Sequence, residues 1–159
     1  KSKTTKSKRR LKMLKFITLR DYTDFNDQLN QEQLVDFMYK HLDKFGDPKP
    51  AISKSIDYAF SKSEGKGGYI VLGYDNEELI GAVIMNDTGM KDYIPENILV
   101  YVAVKADQRG KGFGGKLINK AIEQADGDVA LHVEYDNPAK RLYERLGFES
   151  KYAEMRFTK

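Results

Sequence analysis

The chain has 159 residues, of which 40% are hydrophobic and 32% are charged, and it contains no cysteine. This length and composition are typical of one soluble globular domain, and no apolar run approaches the roughly 20 residues that a membrane-spanning helix needs. The lack of cysteine excludes disulfides, thiolate nucleophiles and cysteine-bound zinc, and without a signal-peptide pattern it favours a cytoplasmic location.

The positive charge is concentrated at the start of the chain. The net charge is +3, and residues 1–12, KSKTTKSKRRLK, hold seven lysines or arginines and no acid. Residues 13–159 therefore carry 20 basic against 24 acidic side chains. We interpret residues 1–12 as a disordered basic arm or an added extension. A mildly acidic domain does not favour nucleic acid as a partner and is compatible with a cationic one.

The first part of the chain predicts a strand followed by two helices. Residues 15–19, KFITL, form a short strand candidate. Asp24 is a candidate N-cap for a helix whose apolar side chains recur at helical spacing over 34–45. Pro50 is placed to begin the second helix, and the glycine-rich stretch 63–68 ends it.

The middle of the chain predicts strands and a glycine-linked helix. Residues 69–74 and 78–85 are joined by a three-residue turn, which requires an antiparallel hairpin. Residues 98–104, ILVYVAV, are apolar throughout and predict a central strand covered on both faces. A helix with an apolar stripe over 113–125 leads to a strand at 129–133, an order that implies a parallel crossover.

The end of the chain predicts a short helix and terminal strands. Asn137 is a candidate N-cap with Pro138 at the first helical position, and Gly147 ends the helix. Residues 148–157 then predict one or two strands. Together the elements predict a single α+β domain over residues 13–159.

The stretch QRGKGFGGKL, residues 108–117, fits three phosphate-binding patterns. Gly110, Gly112 and Gly115 satisfy the G-x-G-x-x-G of a dinucleotide fold, and Glu134 is placed at the distance of that fold's ribose contact. However, five residues separate this loop from the preceding strand, and the loop lies two thirds of the way along the chain. In dinucleotide folds the first glycine follows the first strand almost directly.

The other two patterns are distinguished by the residues around the glycines. A P-loop needs Ser or Thr after Lys116 to bind magnesium, and Leu117 stands there, which argues against that pattern. A plain surface turn is disfavoured because glycines are costly in backbone entropy. The third pattern is R-x-x-G-x-G, formed by Arg109, Gly112 and Gly114. Free N–H groups at the start of a helix are an anion site, so this pattern also indicates phosphate.

Two motifs together carry a family resemblance. The R-x-x-G-x-G loop, between an apolar strand and a helix, resembles the acyl-CoA pyrophosphate loop of the GNAT superfamily of N-acetyltransferases. NPAKRLYERLGFE, residues 137–149, is similar to that family's N-x-A-x-x-x-Y-x-x-x-G-F segment with its spacing intact. The second motif begins 28 residues after Arg109, on the expected element.

The resemblance implies a fold and an activity. The fold is a GNAT-like α+β domain with a mixed, mostly antiparallel sheet of about six or seven strands, about four helices and a V-shaped splay between the fourth and fifth strands. The activity is an acyl-CoA-dependent N-acetyltransferase that moves acetyl from acetyl-CoA, a co-substrate, to a primary amine by direct attack in a ternary complex. No metal is implied. The alternative is a non-catalytic acyl-CoA-binding or sensing module.

The resemblance also implies partners and site residues. The acceptor is a small-molecule or protein amine, no nucleic acid or membrane takes part, and a homodimer is left open. Tyr143 matches the tyrosine that protonates the leaving thiolate, and a main-chain N–H near Val102 is the oxyanion donor. Glu96, expected on the same strand alternation as Val102, is the first candidate for the base. Further candidates for the base are Glu134, Asp92, Tyr93 and His132. The implied cofactor-binding residues are Val102, Val104, Arg109, Gly110, Lys111, Gly112, Phe113, Gly114, Gly115, Asn137 and Tyr143.

Overall fold

A computed structural model describes residues 13–159 of the chain, so the basic segment 1–12 lies outside the described residues. One five-stranded sheet forms the centre of the domain. Its strands are β1 (Leu14–Leu19), β2 (Gly68–Asp75), β3 (Glu78–Asp87), β4 (Asn97–Val104) and β5 (Val129–Leu131). They are ordered β1-β2-β3-β4-β5 across the sheet. The first four are antiparallel neighbours, while β5 is parallel to β4, as the predicted crossover requires.

Four α-helices flank the sheet: α1 (Gln31–Leu42), α2 (Lys49–Phe60), α3 (Phe113–Glu123) and α4 (Ala139–Arg145). Short 3₁₀ turns lie at Tyr22–Asp24, Asp43–Phe45 and Ala106–Gln108. In the part of the chain that the structure describes, no helix is long and apolar enough to cross a membrane.

The start of α1 differs from the prediction. Asn30, not Asp24, caps the helix: its side chain accepts a hydrogen bond from the Gln33 N–H at 2.8 Å, and the Gln33 side chain accepts one from the Asn30 N–H at 2.9 Å. This reciprocal capping box satisfies two backbone donors at once. The Asp24 carboxylate instead accepts from the backbone N–H groups of Arg20 and Asp21 in the preceding turn.

The sheet separates two hydrophobic layers. On one face, α1 and α2 bury their apolar stripes against the sheet, with Leu34, Met38, Ile52 and Ile56 fully enclosed. On the other face α3 does the same with Leu117, Ile118 and Ala121, and α4 packs beside it. Burying such side chains contributes about 1.5–3 kcal/mol each. The two layers fix the sheet from both sides.

A pair of glycines fixes the start of α3. Gly73 of β2 and Gly81 of β3 are direct cross-strand partners, and the ring of Phe113 lies over both of them. A β-carbon on Gly73 would come within 2.3 Å of the ring, and one on Gly81 within 2.6 Å. Phe113 is buried and stacks on Phe16 with ring centroids 5.9 Å apart. The sheet thus holds the first residue of α3, and with it the end of the glycine loop.

The prediction of six or seven strands is wrong, because the described chain forms five. No strand forms over residues 148–157, where Tyr152, Met155 and Phe157 are exposed. The neighbouring edge strand β5 also ends at Leu131, earlier than predicted. Only three residues of β5 join the ladder, which gives a further strand little to pair with.

Candidate functional site

Strand β4 has strand neighbours on both sides at one end, residues 97–99, which we call the sealed end, and on one side only at the other, residues 100–104, which we call the open end. It pairs with β5 over three residue pairs only, from Asn97 opposite Val129 to Leu99 opposite Leu131. Beyond Leu131 β5 stops, while β4 runs on to Val104. The carboxyl-terminal half of β4 therefore has a strand neighbour, β3, on one side only.

A β-bulge lies where the pairing with β5 ends. On β3, Ile84 faces Tyr101 and Met85 faces Leu99, so Val100 is the extra residue in β4. A bulge shifts the alternation of side chains by one position. Accordingly Leu99 and Val102 pack in the same hydrophobic layer although they are three positions apart. The expectation that Glu96 shares the alternation of Val102 is wrong for this reason.

The main-chain groups of Val102 and Val104 point toward the open side. The Lys105 N–H donates to the carbonyl of Ile80 in β3 at 2.8 Å. Because successive residues of a strand direct their peptide groups to opposite sides, those of Val104 and Val102 face away from β3. A hydrogen bond supports this direction: the Arg109 Nε donates to the Val104 carbonyl at 3.1 Å from the side opposite β3.

The glycine loop ends in an uncapped helix start. Gly110 has φ 75° and Gly112, the N-cap of α3, has φ 80°, both values that favour glycine. No side chain caps this end of the helix, so its first N–H groups lack helical acceptors and carry the positive end of the helix dipole. A β-carbon at Gly110 or Gly112 would meet no heavy atom of the described chain within 4 Å. The loop therefore offers open space next to anion-binding groups.

Arg109 connects the loop to α1 rather than pointing into the open space. Its guanidinium donates to the carbonyls of Val104 and His41. The His41 ring is buried and its Nδ1 accepts a hydrogen bond from the Ala106 N–H at 3.3 Å. Burial, followed by the charges of Lys40 and Arg109, lowers the pKa of His41. A neutral His41 and Arg109 together fasten the end of α1 to the segment after β4.

Tyr143 lies on α4, close to the start of α3. Its ring is half-buried and packs edge-to-face on Phe148 with centroids 5.8 Å apart. Burial raises the pKa of its hydroxyl above the ordinary value of a tyrosine. That hydroxyl has no hydrogen-bond partner among residues 13–159. Leu142, the preceding residue, packs beside Gly114 in the first turn of α3, so the helix that carries Tyr143 is fixed against the glycine loop.

Asn137 and Lys111 complete the positions implied by the two motifs. The predicted N-cap Asn137 lies one residue before the N-cap of α4, which is Pro138. The Asn137 side chain accepts a hydrogen bond from the N–H of Ala139, the first residue of that helix, at 2.9 Å. Lys111 is exposed in the glycine loop, where its charge adds to the positive potential of the helix start.

Glu96 lies at the sealed end of β4. Its carboxylate accepts a hydrogen bond from the Asp128 N–H at 2.7 Å, and a β-carbon on Gly127 would come within 2.5 Å of it. Backbone hydrogen bonds, that of Asp128 first, lower the pKa of Glu96. Glu96 also lines a cavity of about 280 Å³ at this end of the sheet. The other candidates for the base are exposed, on the loop before β4 or after β5: Asp92, Tyr93, His132 and Glu134.

Tyr101 and Asp47 form a contact that sequence reasoning missed. Tyr101 is on β4 next to the bulge, and its hydroxyl donates to the Asp47 carboxylate at 2.5 Å. Burial, and then the hydrogen bond to Asp47, raise the pKa of Tyr101. The signal in the sequence was the single hydroxyl in ILVYVAV, which interrupts an otherwise aliphatic strand.

Comparison with known proteins identifies the family. A profile described as the acetyltransferase (GNAT) family matches residues 27–148. The chain belongs to the GNAT acetyltransferase family. No curated protein sequence matches the chain significantly. Residues 13–159 contain no group of three or more His, Asp or Glu side chains arranged to hold a metal.

Solved structures share the GNAT fold at low sequence identity. An aminoglycoside N-acetyltransferase, AAC(6')-Iy, in complex with CoA has a TM-score of 0.68 at 13% identity, with 95% of this chain and 97% of that chain covered. A ribosomal-protein-alanine N-acetyltransferase from Brucella melitensis has a TM-score of 0.58 at 17% identity, covering 91% and 98%. A transcriptional regulator from Bacillus halodurans has a TM-score of 0.60 at 17% identity, covering 91% and 99%.

Proposed function

We propose that this protein transfers an acetyl group from acetyl-CoA to a primary amine by direct attack in a ternary complex. The observation that carries the proposal is the open half of β4 beside the uncapped start of α3. Unpaired peptide groups of a strand are ready to pair with an extended ligand, and a helix start with glycines is ready to bind phosphate. An acyl-CoA molecule has both parts, an amide-containing arm and a pyrophosphate.

The pyrophosphate would bind at the glycine loop. The main-chain N–H groups from Gly110 to Gly115 would donate to its oxygens, with no metal required to offset their charge. The exposed Lys111 side chain would add a positive charge beside the phosphates. The Arg109 guanidinium already donates to two protein carbonyls, so we propose that Arg109 holds the loop in place. The phosphate oxygens would then be bound by the backbone N–H groups.

The pantetheine arm would lie along β4 in the gap that β5 leaves. Val102 and Val104 would exchange main-chain hydrogen bonds with its amides, as a neighbouring strand does. Arg109 donates to the Val104 carbonyl in the structure, so an arm amide would share or displace that bond. This placement puts the thioester near the bulge at Val100.

The chemistry needs an oxyanion donor and an acid. The neutral amine nitrogen would attack the thioester carbonyl carbon, the carbon–sulfur bond would break as the carbonyl re-forms, and the nitrogen would release one proton to water. The departing thiolate would take one proton from Tyr143, which would regain it from solvent. A main-chain N–H near Val102 would stabilise the oxyanion, a service worth a few kcal/mol when the donor is fixed in advance. Tyr143 would give its proton to the sulfur, since a tyrosine hydroxyl is protonated at neutral pH.

The base is not assigned to Glu96 in this proposal. Its carboxylate is engaged by the Asp128 N–H at the sealed end of β4, and its lowered pKa makes it a weaker proton acceptor. A covalent acyl-cysteine intermediate is excluded because the chain has no cysteine, which favours direct transfer.

The test measures CoA release from acetyl-CoA across a panel of primary amines, for the wild type and for Tyr143→Phe. We expect amine-dependent release by the wild type and a kcat about 10²- to 10⁴-fold lower for the variant, the usual contribution of a general acid. The KM for acetyl-CoA should change little, since the ring remains. Tight acetyl-CoA binding with no turnover of any amine would favour the alternative, a sensing module, and a full kcat in Tyr143→Phe would remove the acid from the mechanism.

A further inference from the structure

The sheet separates the cofactor side of β4 from the side on which an acceptor can approach. The glycine loop leads into α3, which packs on the face that holds Val102 and Val104. Tyr101 packs on the opposite face, with α1 and α2. This inference rests on the proposed function: a cofactor that enters from the α3 side leaves the Tyr101 side for the amine.

A cavity of about 540 Å³ opens on that opposite face, at the connection between α1 and α2. It is lined by Tyr39, Asp43, Gly46, Asp47, Pro48 and Lys49. The one positive charge among these, Lys49, is already paired with Asp36 at 2.9 Å and lies over the Tyr39 ring. The cavity therefore has carboxylates available to a cation, while its lysine is engaged elsewhere.

Asp47 differs from the other lining carboxylate because β4 holds it in place. Among residues 13–159, it is the only carboxylate that a hydrogen bond joins to a side chain of the open half of β4. Tyr101, which makes that bond, directly follows the bulge residue Val100. One tyrosine side chain thus separates the Asp47 carboxylate from the strand along which the thioester would lie.

We propose that Asp47 binds a second, non-reacting ammonium group of the acceptor, and that the preferred substrates are amines with at least two cationic nitrogens. The reacting nitrogen must be neutral to attack, whereas the other nitrogen keeps its charge throughout the reaction. A carboxylate fixed by Tyr101 at one end of the acceptor holds that charge and places the free amine at β4. Asp47 is therefore a specificity-determining residue, and Tyr101 is the positioning residue that orients it.

A matched pair of amines tests this assignment. 1,4-Diaminobutane and butylamine differ by one amino group, so the ratio of their kcat/KM values isolates the second charge. We expect Asp47→Asn to lower this ratio about five- to tenfold, within the range of a fixed charge-assisted contact. Tyr101→Phe, which keeps the ring and frees the carboxylate, should lower it about two- to threefold. Added salt should lower the wild-type ratio and have less effect on that of Asp47→Asn.

Asp27→Asn is the control, because it removes the same charge from an exposed turn outside the cavity. It should leave the ratio unchanged, and thermal melts should show that all three variants are folded. Turnover of both amines with a ratio that Asp47→Asn leaves unchanged would overturn this inference alone. Acetyl-CoA binding without turnover of either amine by the wild type would overturn the proposed function and this inference together.

Discussion

The two ends of β4 use backbone hydrogen bonds in opposite ways. At the sealed end, β5 pairs with the strand, and the Glu96 carboxylate accepts the Asp128 N–H at the start of β5. At the open end, the peptide groups of Val102 and Val104 have no neighbouring strand on one side, and the α3 start has no capping side chain. At the sealed end the polar groups of the backbone are satisfied by a neighbouring strand, whereas at the open end the Arg109 side chain takes the place of a strand at the Val104 carbonyl.

Under the proposed function, this difference would let a single strand serve both stability and binding. Unpaired peptide groups are tolerated at a surface because water satisfies them, and a ligand can then replace the water. The bulge at Val100 lies at the boundary between the sealed end and the open end of β4. Changes at the open end should therefore affect cofactor binding, and changes at the sealed end should affect stability.

The largest effect is expected at the glycine loop. Gly112→Asp places a carboxylate where the pyrophosphate would bind, next to the first N–H groups of α3. Like charges brought together in a binding site cost several kcal/mol, so we expect the Kd for CoA to rise at least about a hundredfold. Isothermal titration with CoA measures this directly.

Gly65→Asp is the matched control for that change. Gly65 has φ 77°, close to the 80° of Gly112, and a β-carbon at either position meets nothing within 4 Å. Backbone strain and added charge are therefore the same, while the location differs. We expect both variants to lose thermal stability, Gly112→Asp the less because its carboxylate lies at the positive end of the α3 dipole, and only Gly112→Asp to lose CoA affinity. Equal CoA affinity in the two variants would show that the phosphates bind elsewhere.

A smaller effect is expected where the sheet supports the loop. Gly81→Ala would push a methyl group into the Phe113 ring and within 2.9 Å of Leu117. Overpacking of this kind costs about 1–3 kcal/mol of unfolding free energy. Because Phe113 begins α3, CoA affinity should also fall, by less than in Gly112→Asp. Urea denaturation and CoA titration measure the two effects.

Gly115→Ala is the comparison for Gly81→Ala. Gly115 is within α3, and a β-carbon there would make an ordinary contact of 3.7 Å with Leu142. Alanine is favoured over glycine in a helix, so we expect a gain of roughly 0.5 kcal/mol instead of a loss. Destabilisation of similar size in both variants would contradict the role assigned to the Gly73–Gly81 pair.

The sequence predicted much of this arrangement where the signal was local. The alternating and continuous apolar runs located β2, β3 and β4, and the glycine loop located the start of α3. The features that escaped prediction depend on tertiary neighbours. No glycine or proline marks the bulge at Val100, and the target of the Arg109 guanidinium is set by the approach of α1.

The predicted terminal strands are also decided by tertiary neighbours, but here the sequence predicted an element that does not form. Residues 148–157 contain strand-forming side chains, but a strand forms only where a partner offers free peptide groups. With β5 three residues long, that condition is not met in the described chain. At the start of α1, Asp24 and Asn30 are both good caps by residue type, but only Asn30 has a glutamine three residues later, Gln33, with which it forms the capping box.

The smallest effect, and the one that tests the sealed end, is pH-dependent. The pKa of Glu96 is lowered from 4.5 by its backbone hydrogen bonds. The unfolded chain therefore binds a proton at a pH where the folded chain does not. The stabilisation is present above a pH of about 4.5 and is lost as the pH falls through the folded-state pKa.

We expect Glu96→Gln to melt at a lower temperature than the wild type at pH 7, and its melting temperature to fall less than that of the wild type between pH 5 and pH 3. CoA affinity at pH 7 should remain within about twofold, because the cofactor would bind at the other end of β4. A large loss of CoA affinity in Glu96→Gln, with parallel melting curves against pH, would mean that the two ends of β4 are not independent.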